Sequence, residues 1–250
     1  MFILFTLIVM RMSGAMLFNP IFGRNNIPRS ARAALIFTLS LLLYLNSGGV
    51  LVQEPQSMLE YMLMLLLELL FGFVIGFIIE LALLVIRFAT AVMDYVMGLS
   101  MAQVYDPQYN MQTTVSQGLY YGFLMLLFFA VNGHIKLIEI FYASAGQIPF
   151  GTVGFSVELS ELIIGIFGDA VLMGLKMAFP LIAMELLTEF AVGILMRIIP
   201  QINVFVINFQ LKIIVGLLML LVLFSPIADQ LEQLIGQMFR WIQESIPLMG

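Results

Sequence analysis

The chain has 250 residues, 62% hydrophobic and only 10% charged, with a mean hydropathy of +1.08. Soluble domains carry about 25% charged and about 45–50% apolar residues, and no globule of this size has the interior to hide so much apolar surface. The chain therefore reads as an integral membrane protein or a subunit buried in a larger assembly; its net charge of −5 gives no basis for nucleic-acid binding, and the absence of cysteine excludes disulfides and thiol chemistry.

In chain order, residues 1–18 form an apolar helix. Arg11 stands in its middle, where a signal peptide would have its apolar core, so the segment is read as mature fold. Residues 19–32 are a loop containing Pro20, Phe22, Pro28 and Arg32. Residues 33–53 are long enough to cross about 30 Å of hydrocarbon, and the Gln-Glu-Pro-Gln of 53–56 breaks them off. A long helical region follows over 58–105, with Glu60, Glu68, Glu80, Arg87 and Asp94 along it. Gly72 and Gly76 have the small-xxx-small spacing that permits close helix packing. Residues 100–117 are a polar interruption with Asp106-Pro107 as a turn signal. Residues 118–131 are apolar again, up to Asn132-Gly133, and 147–154 read as a linker. A second long helical region spans 159–198, with Asp169, Lys176, Glu185, Glu189 and Arg197. After the mixed stretch 200–212, residues 213–224 are apolar, and the tail has the spacing of an amphipathic end helix. No alternation of period two is sustained, so the class is all-α.

Charges inside these apolar stretches cost at least about 2.5–3.5 kcal/mol each at a bilayer centre. They must face a bundle interior, a water path, or a region not bathed in lipid. Enzyme chemistry finds no support. One histidine is too few for a zinc site, and no nucleotide-binding glycine motif is present. At Gly168-Asp169 the glycine of a GxGD element is replaced by Ile166. No cofactor, metal or catalytic residue is expected. Glu68, Glu80, Glu185 and Glu189 leave a small-molecule or ion transporter as the alternative, with the acids relaying protons or binding cations.

Four stretches then fall in order: RMSGAMLFNPIFGRNNIPRSARAAL near the start, GLSMAQVYDPQYNMQTTVSQ in the middle, NGHIKLI, and PQINVFVINFQLKIIVG near the end. Taken together they resemble the FliR family, export-gate membrane proteins of flagellar type III secretion whose injectisome counterparts are called SctT, SpaR or YscT. The resemblance covers nearly the whole chain. It implies a subunit that joins FliP and FliQ in a hetero-oligomeric gate in the bacterial inner membrane, at the flagellar basal body. FlhB and FlhA would lie nearby, and unfolded proteins would pass through. It also implies a FliP-like part over 1–158 and a FliQ-like hairpin with an end helix over 159–250.

Under that resemblance, the interruption is expected to be a loop that plugs the channel. Met97, Met101, Tyr105, Asp106, Pro107, Tyr109, Asn110 and Met111 would form it, because flexible methionines make a deformable seal. Pro200, Gln201, Asn203, Phe205, Asn208 and Lys212 are expected at a hairpin tip and entrance, with Phe205 and Phe209 packed on neighbouring subunits. Arg11, Pro20, Phe22, Pro28, Arg32, Glu80 and Arg87 are expected to make assembly contacts, the arginines as partners of acids in neighbouring subunits or as cytoplasmic anchors.

Overall fold

The structure, a computed structural model, describes residues 2–23, 27–46, 51, 54–101, 103–106, 111–199 and 204–250. Helices carry the fold, as the period of the apolar residues requires: α1 (Phe2–Leu17), α2 (Arg29–Asn46), α3 (Met58–Val96), α4 (Val115–Ala130), α5 (Gly133–Gln147), α6 (Val157–Ile198), α7 (Val204–Val222) and α8 (Phe224–Ser245). Single 3-10 turns follow α3 at Leu99–Met101 and α8 at Ile246–Met249.

At about 1.5 Å per residue, α3 and α6 are each about twice as long as the bilayer core is thick. Both are apolar enough to span it, and the pairs α4 with α5 and α7 with α8 would add two more spans if each bent pair counts as one. The two long helices differ in how they use their apolar surface. The most apolar stretch of α3 is 67% buried within the chain, that of α6 only 28%. Phe167, Phe179, Leu187, Phe190 and Ile194 of α6 are all exposed. α3 is therefore largely covered by the rest of the chain, and α6 leaves most of its apolar surface uncovered by it. Pro180 lies inside α6 and withholds one backbone hydrogen bond from it.

Two boundaries differ from the sequence reading. The long helix expected over 58–105 ends at Val96, and Gly98 then takes a left-handed φ of 77°, the usual way a helix is closed by glycine. The polar interruption is not a plain loop. It forms a two-stranded antiparallel ribbon, β1 (Gln103–Asp106) and β2 (Met111–Thr114), with Gln103 opposite Thr114 and Asp106 opposite Met111. Of the residues expected at the hairpin tip and entrance, Phe205, Asn208 and Lys212 lie on a helix. Residues from Val204 through Lys212 belong to α7. Asn208, Gln210 and Lys212 are spaced among apolar neighbours and do not interrupt the helix.

The chain forms two compact units. The first contains 1–82, 131–168 and 235–250. Its core includes Leu7, Ile8, Met12, Phe71, Ile75 and Leu137, all nearly inaccessible. α1 crosses α3 there at backbone contact. A Cβ on Gly14 would lie 3.1 Å from the Gly72 Cα, and one on Gly72 would lie 2.8 Å from the Gly14 carbonyl carbon. Gly76 approaches Phe18 in the same way. The second unit contains 83–130 and 169–234. Ile86, Met93, Met97, Tyr120, Phe128 and Leu181 are buried in it. These units interleave the chain. The boundary expected at residue 158 falls inside the 131–168 segment of the first unit.

Candidate functional site

The ribbon joins α3 to α4, and its two feet are fastened together. Asp94, in the last turn of α3, is wholly buried. Its carboxylate accepts the Ser116 hydroxyl at 2.5 Å and the Ser116 backbone N–H at 3.3 Å. Ser116 is the second residue of α4, so Asp94 satisfies an N–H that the helix start leaves without an intrahelical partner. Hydrogen bonds to an ionised acceptor are about twice as strong as neutral ones. This pair closes the ribbon at its root.

The next contacts are with α7. Met97 is fully buried, and its side chain lies directly over Gly216. The Phe209 ring covers Gly98, where a Cβ would sit 3.3 Å from the ring. Met97, expected in the deformable seal, is thus buried at the ribbon's root against α7. The seal positions Pro107, Tyr109 and Asn110 lie outside the described residues, while Tyr105, Asp106 and Met111 lie on the two strands, and Met101 ends the 3-10 turn. Phe209 was expected against a neighbouring subunit, but this part of its surface is used within the chain.

At the hairpin, Pro200, Gln201 and Asn203 also lie outside the described residues, and Phe205 falls in the first turn of α7. Lys212 forms an ion pair with Glu189 of α6. Both are partly exposed, so the pair adds about 0–1 kcal/mol and mainly fixes the register of the two helices. Glu189 borders an open groove of about 590 Å³ on α6, lined by Leu186, Phe190, Gly193, Ile194 and Arg197.

The N-terminal arginines are used inside the chain. Arg11 is buried in the first unit, where its Nε donates to Glu68 Oε2 at 2.5 Å and its Nη2 to Oε1 at 3.1 Å. Its Nη1 donates to the Ile148 carbonyl at 3.0 Å, and the guanidinium lies 4.4 Å from the Phe71 centroid and 4.3 Å from that of Phe150. Glu68 accepts a further N–H from Gly151 at 2.8 Å. The expectation that Arg11 meets an acid of another subunit is thus replaced by an internal partner. A charge on an apolar helix has to find its counter-charge where water is excluded, and Glu68 is that partner. Arg32 reaches back from α2 to the Gly23 carbonyl at 2.9 Å. It closes a turn in which the Asn19 side chain accepts the Ile21 N–H at 2.8 Å. Pro20 and Phe22 are half-buried in this turn and Pro28 is exposed beyond it. Glu80 and Arg87 are half-buried on α3. In the NGHIKLI stretch, the Lys136 ammonium lies 4.7 Å from the Phe239 centroid.

This geometry bears on three of the four acids of the transporter alternative. Glu68 is held by Arg11 and Glu189 by Lys212. Glu185 is only 1% exposed, and neither of its carboxylate oxygens has a hydrogen-bond partner among the described residues. Glu185→Gln keeps its shape and removes its ionisation. The variant is expected to assemble and support secretion at the wild-type level; a collapse of secretion with assembly intact would give the buried carboxylate a role in proton or cation movement. Among the described residues no cluster of acids or histidine is arranged to hold a metal.

For Arg11 the sequence shows only that a base on an apolar helix needs an acid beside it, not which one. The Asp94–Ser116 pair carried no such signal, because serine at a helix start is common.

Residues 2–238 match the model of a protein family described as bacterial export proteins, family 1. The chain is 28% identical over 256 residues to the flagellar biosynthetic protein FliR of Bacillus subtilis, covering 98% of this chain and 95% of that one. It is 29% identical over 167 residues to FliR of Escherichia coli, covering 67% and 64%. It is also 28% identical to the secretion system apparatus protein SsaT of Salmonella typhimurium, covering 53% of this chain and 52% of that one.

Proposed function

The chain belongs to family 1 of the bacterial export proteins, and from that membership we propose that it is a subunit of the flagellar protein export gate. The observation that carries this reading is the likeness to a flagellar biosynthetic protein over essentially the whole of both chains. The subunit assembles with FliP and FliQ in the bacterial inner membrane at the flagellar basal body, with FlhB and FlhA close by. Unfolded flagellar proteins pass through the assembled channel. The chain contributes shape, seal and contacts, and no catalysis. Residues 1–158 act as the FliP-like part, and 159–250 as the FliQ-like hairpin and end helix. The exposed apolar side of α6, with its groove beside Glu189 and Arg197, is suited to receive neighbouring helices.

The ribbon is the plug. Two strands without a third are marginally stable alone in water, so the element is able to yield to a passing chain. Removing Tyr105–Thr114 is expected to leave assembly intact and to raise ion conductance of cells or of reconstituted complex. Flat conductance would remove the plug assignment.

The proposal as a whole is tested by native mass spectrometry of the 28.0 kDa chain, expressed alone and together with its chromosomal neighbours. A much heavier particle with one copy of this chain and several copies of two other small membrane proteins is the expected result. A stable monomer or homodimer that ignores those neighbours would overturn it.

A further inference from the structure

Two short strands do not fix their own position, so the placement of the ribbon is decided at its root. One face of α7 meets that root. Phe209, Lys212 and Gly216 stand at i, i+3 and i+7 and share that face. Phe209 covers Gly98, Gly216 receives Met97, and Lys212 between them pairs with Glu189 of α6. The fit at both ends is close. Gly98 has a backbone conformation that side chains disfavour, and any side chain at position 216 would occupy the space of Met97. On the other side, Asp94 and Ser116 bind the two feet of the ribbon to each other.

We propose that α7 is the lever that seats the ribbon. Phe209 and Gly216 hold the Met97–Gly98 turn, and displacement of α7 from that turn unseats the ribbon about the Asp94–Ser116 closure. This rests on the ribbon being the seal, and it makes Met97, Phe209 and Gly216 positioning residues for it. It also supplies a route by which a partner that pulls on the α6–α7 hairpin opens the passage without touching the ribbon.

The chain has no cysteine, so one introduced pair reports unambiguously. Met97→Cys with Gly216→Cys places the two Cβ atoms about 3.2 Å apart. Disulfides need about 3.5–4.5 Å, which a small outward shift provides. In cells carrying the full apparatus, the reduced pair is expected to export, oxidation to stop export, and reductant to restore it. In the oxidised pair, removing Tyr105–Thr114 is expected to restore passage.

Export that continues with the disulfide formed, a pair that does not oxidise in the assembled complex, or a block that survives removal of the ribbon would each overturn the lever. If the double variant does not assemble when reduced, Phe209→Ala decides. The expected result is a raised ion conductance with the complex intact by native mass, and an unchanged conductance overturns the proposal. Removal of the ribbon alone separates the two readings: without a leak the seal itself falls, whereas a leak there, with neither the lock nor Phe209→Ala having effect, removes only the lever.

Discussion

Arg11→Met is expected to destabilise the chain by about 3–5 kcal/mol, the usual cost of removing one partner from a buried ion pair. The loss is not chiefly that of an attraction. It is the cost of leaving Glu68 charged, with full burial and only the Gly151 N–H to satisfy it. The Ile148 carbonyl loses its donor as well, and the two rings that flank the guanidinium lose a desolvated cation, which contributes about 2 kcal/mol. Arg11→Lys keeps the charge but not the fork that serves two carboxylate oxygens and a carbonyl together, so it should fall between wild type and Arg11→Met. Arg11→Met combined with Glu68→Leu removes both charges and should recover much of the loss, since an apolar pair of similar volume is often no worse than the ions it replaces. The measurement is the amount of chain in the assembled complex and the midpoint of its thermal dissociation in mild detergent. Unaltered values for Arg11→Met would show that the pair contributes little to stability.

How far the sequence led depended on the kind of signal. Long apolar periodicity placed α6, the amphipathic α8 and the start of α3 within a few residues, because burying one stripe of a helix leaves a strong pattern, whereas α3 ends at Val96 and not at 105. The ribbon was missed because four residues per strand are too few to sustain an alternation of period two, and the polar letters of 103–114 read equally well as loop. The start of α7 was missed for the opposite reason. Asn208, Gln210 and Lys212 read as a tip, yet amides and a lysine leave a helix's backbone hydrogen bonds intact; Lys212 reaches Glu189, while the Asn208 side-chain oxygen is buried with no partner among the described residues. The site residues were harder still. A sequence shows that Arg11 needs a partner but not that Glu68, far along the chain, comes beside it. A methionine at 97 signals flexibility, whereas its constraint comes from Gly216, and a glycine gives no sign of what presses on it.

Gly72→Ala illustrates that last point and is expected to be nearly as damaging as Arg11→Met. In the sequence Gly72 is one of many glycines on apolar helices, and its spacing from Gly76 is only suggestive. In the structure the added methyl would fall on backbone atoms of α1, the Arg11 carbonyl, the Ala15 N–H and the Gly14 carbonyl carbon. A side chain in the way swings aside, but backbone does not. The two helices must separate, at the cost of about 1–3 kcal/mol or more for overpacking. The separation falls where it does most harm, because Glu68 lies one helical turn from Gly72 and Arg11 one turn from Ala15, so the ion pair opens with the crossing. Gly165→Ala is the control. It lies on α6 with nothing within 4 Å of its added methyl, and alanine there should gain about 0.8–1.0 kcal/mol of helix propensity. The two substitutions add the same methyl to glycines in apolar helices and are expected to move the thermal midpoint in opposite directions. If Gly72→Ala accumulates and melts as wild type does while Arg11→Met fails, the ion pair does not depend on the close crossing. If both fail and Gly165→Ala does not, the glycine contact between α1 and α3 is what allows a charge pair to be buried in so apolar a chain.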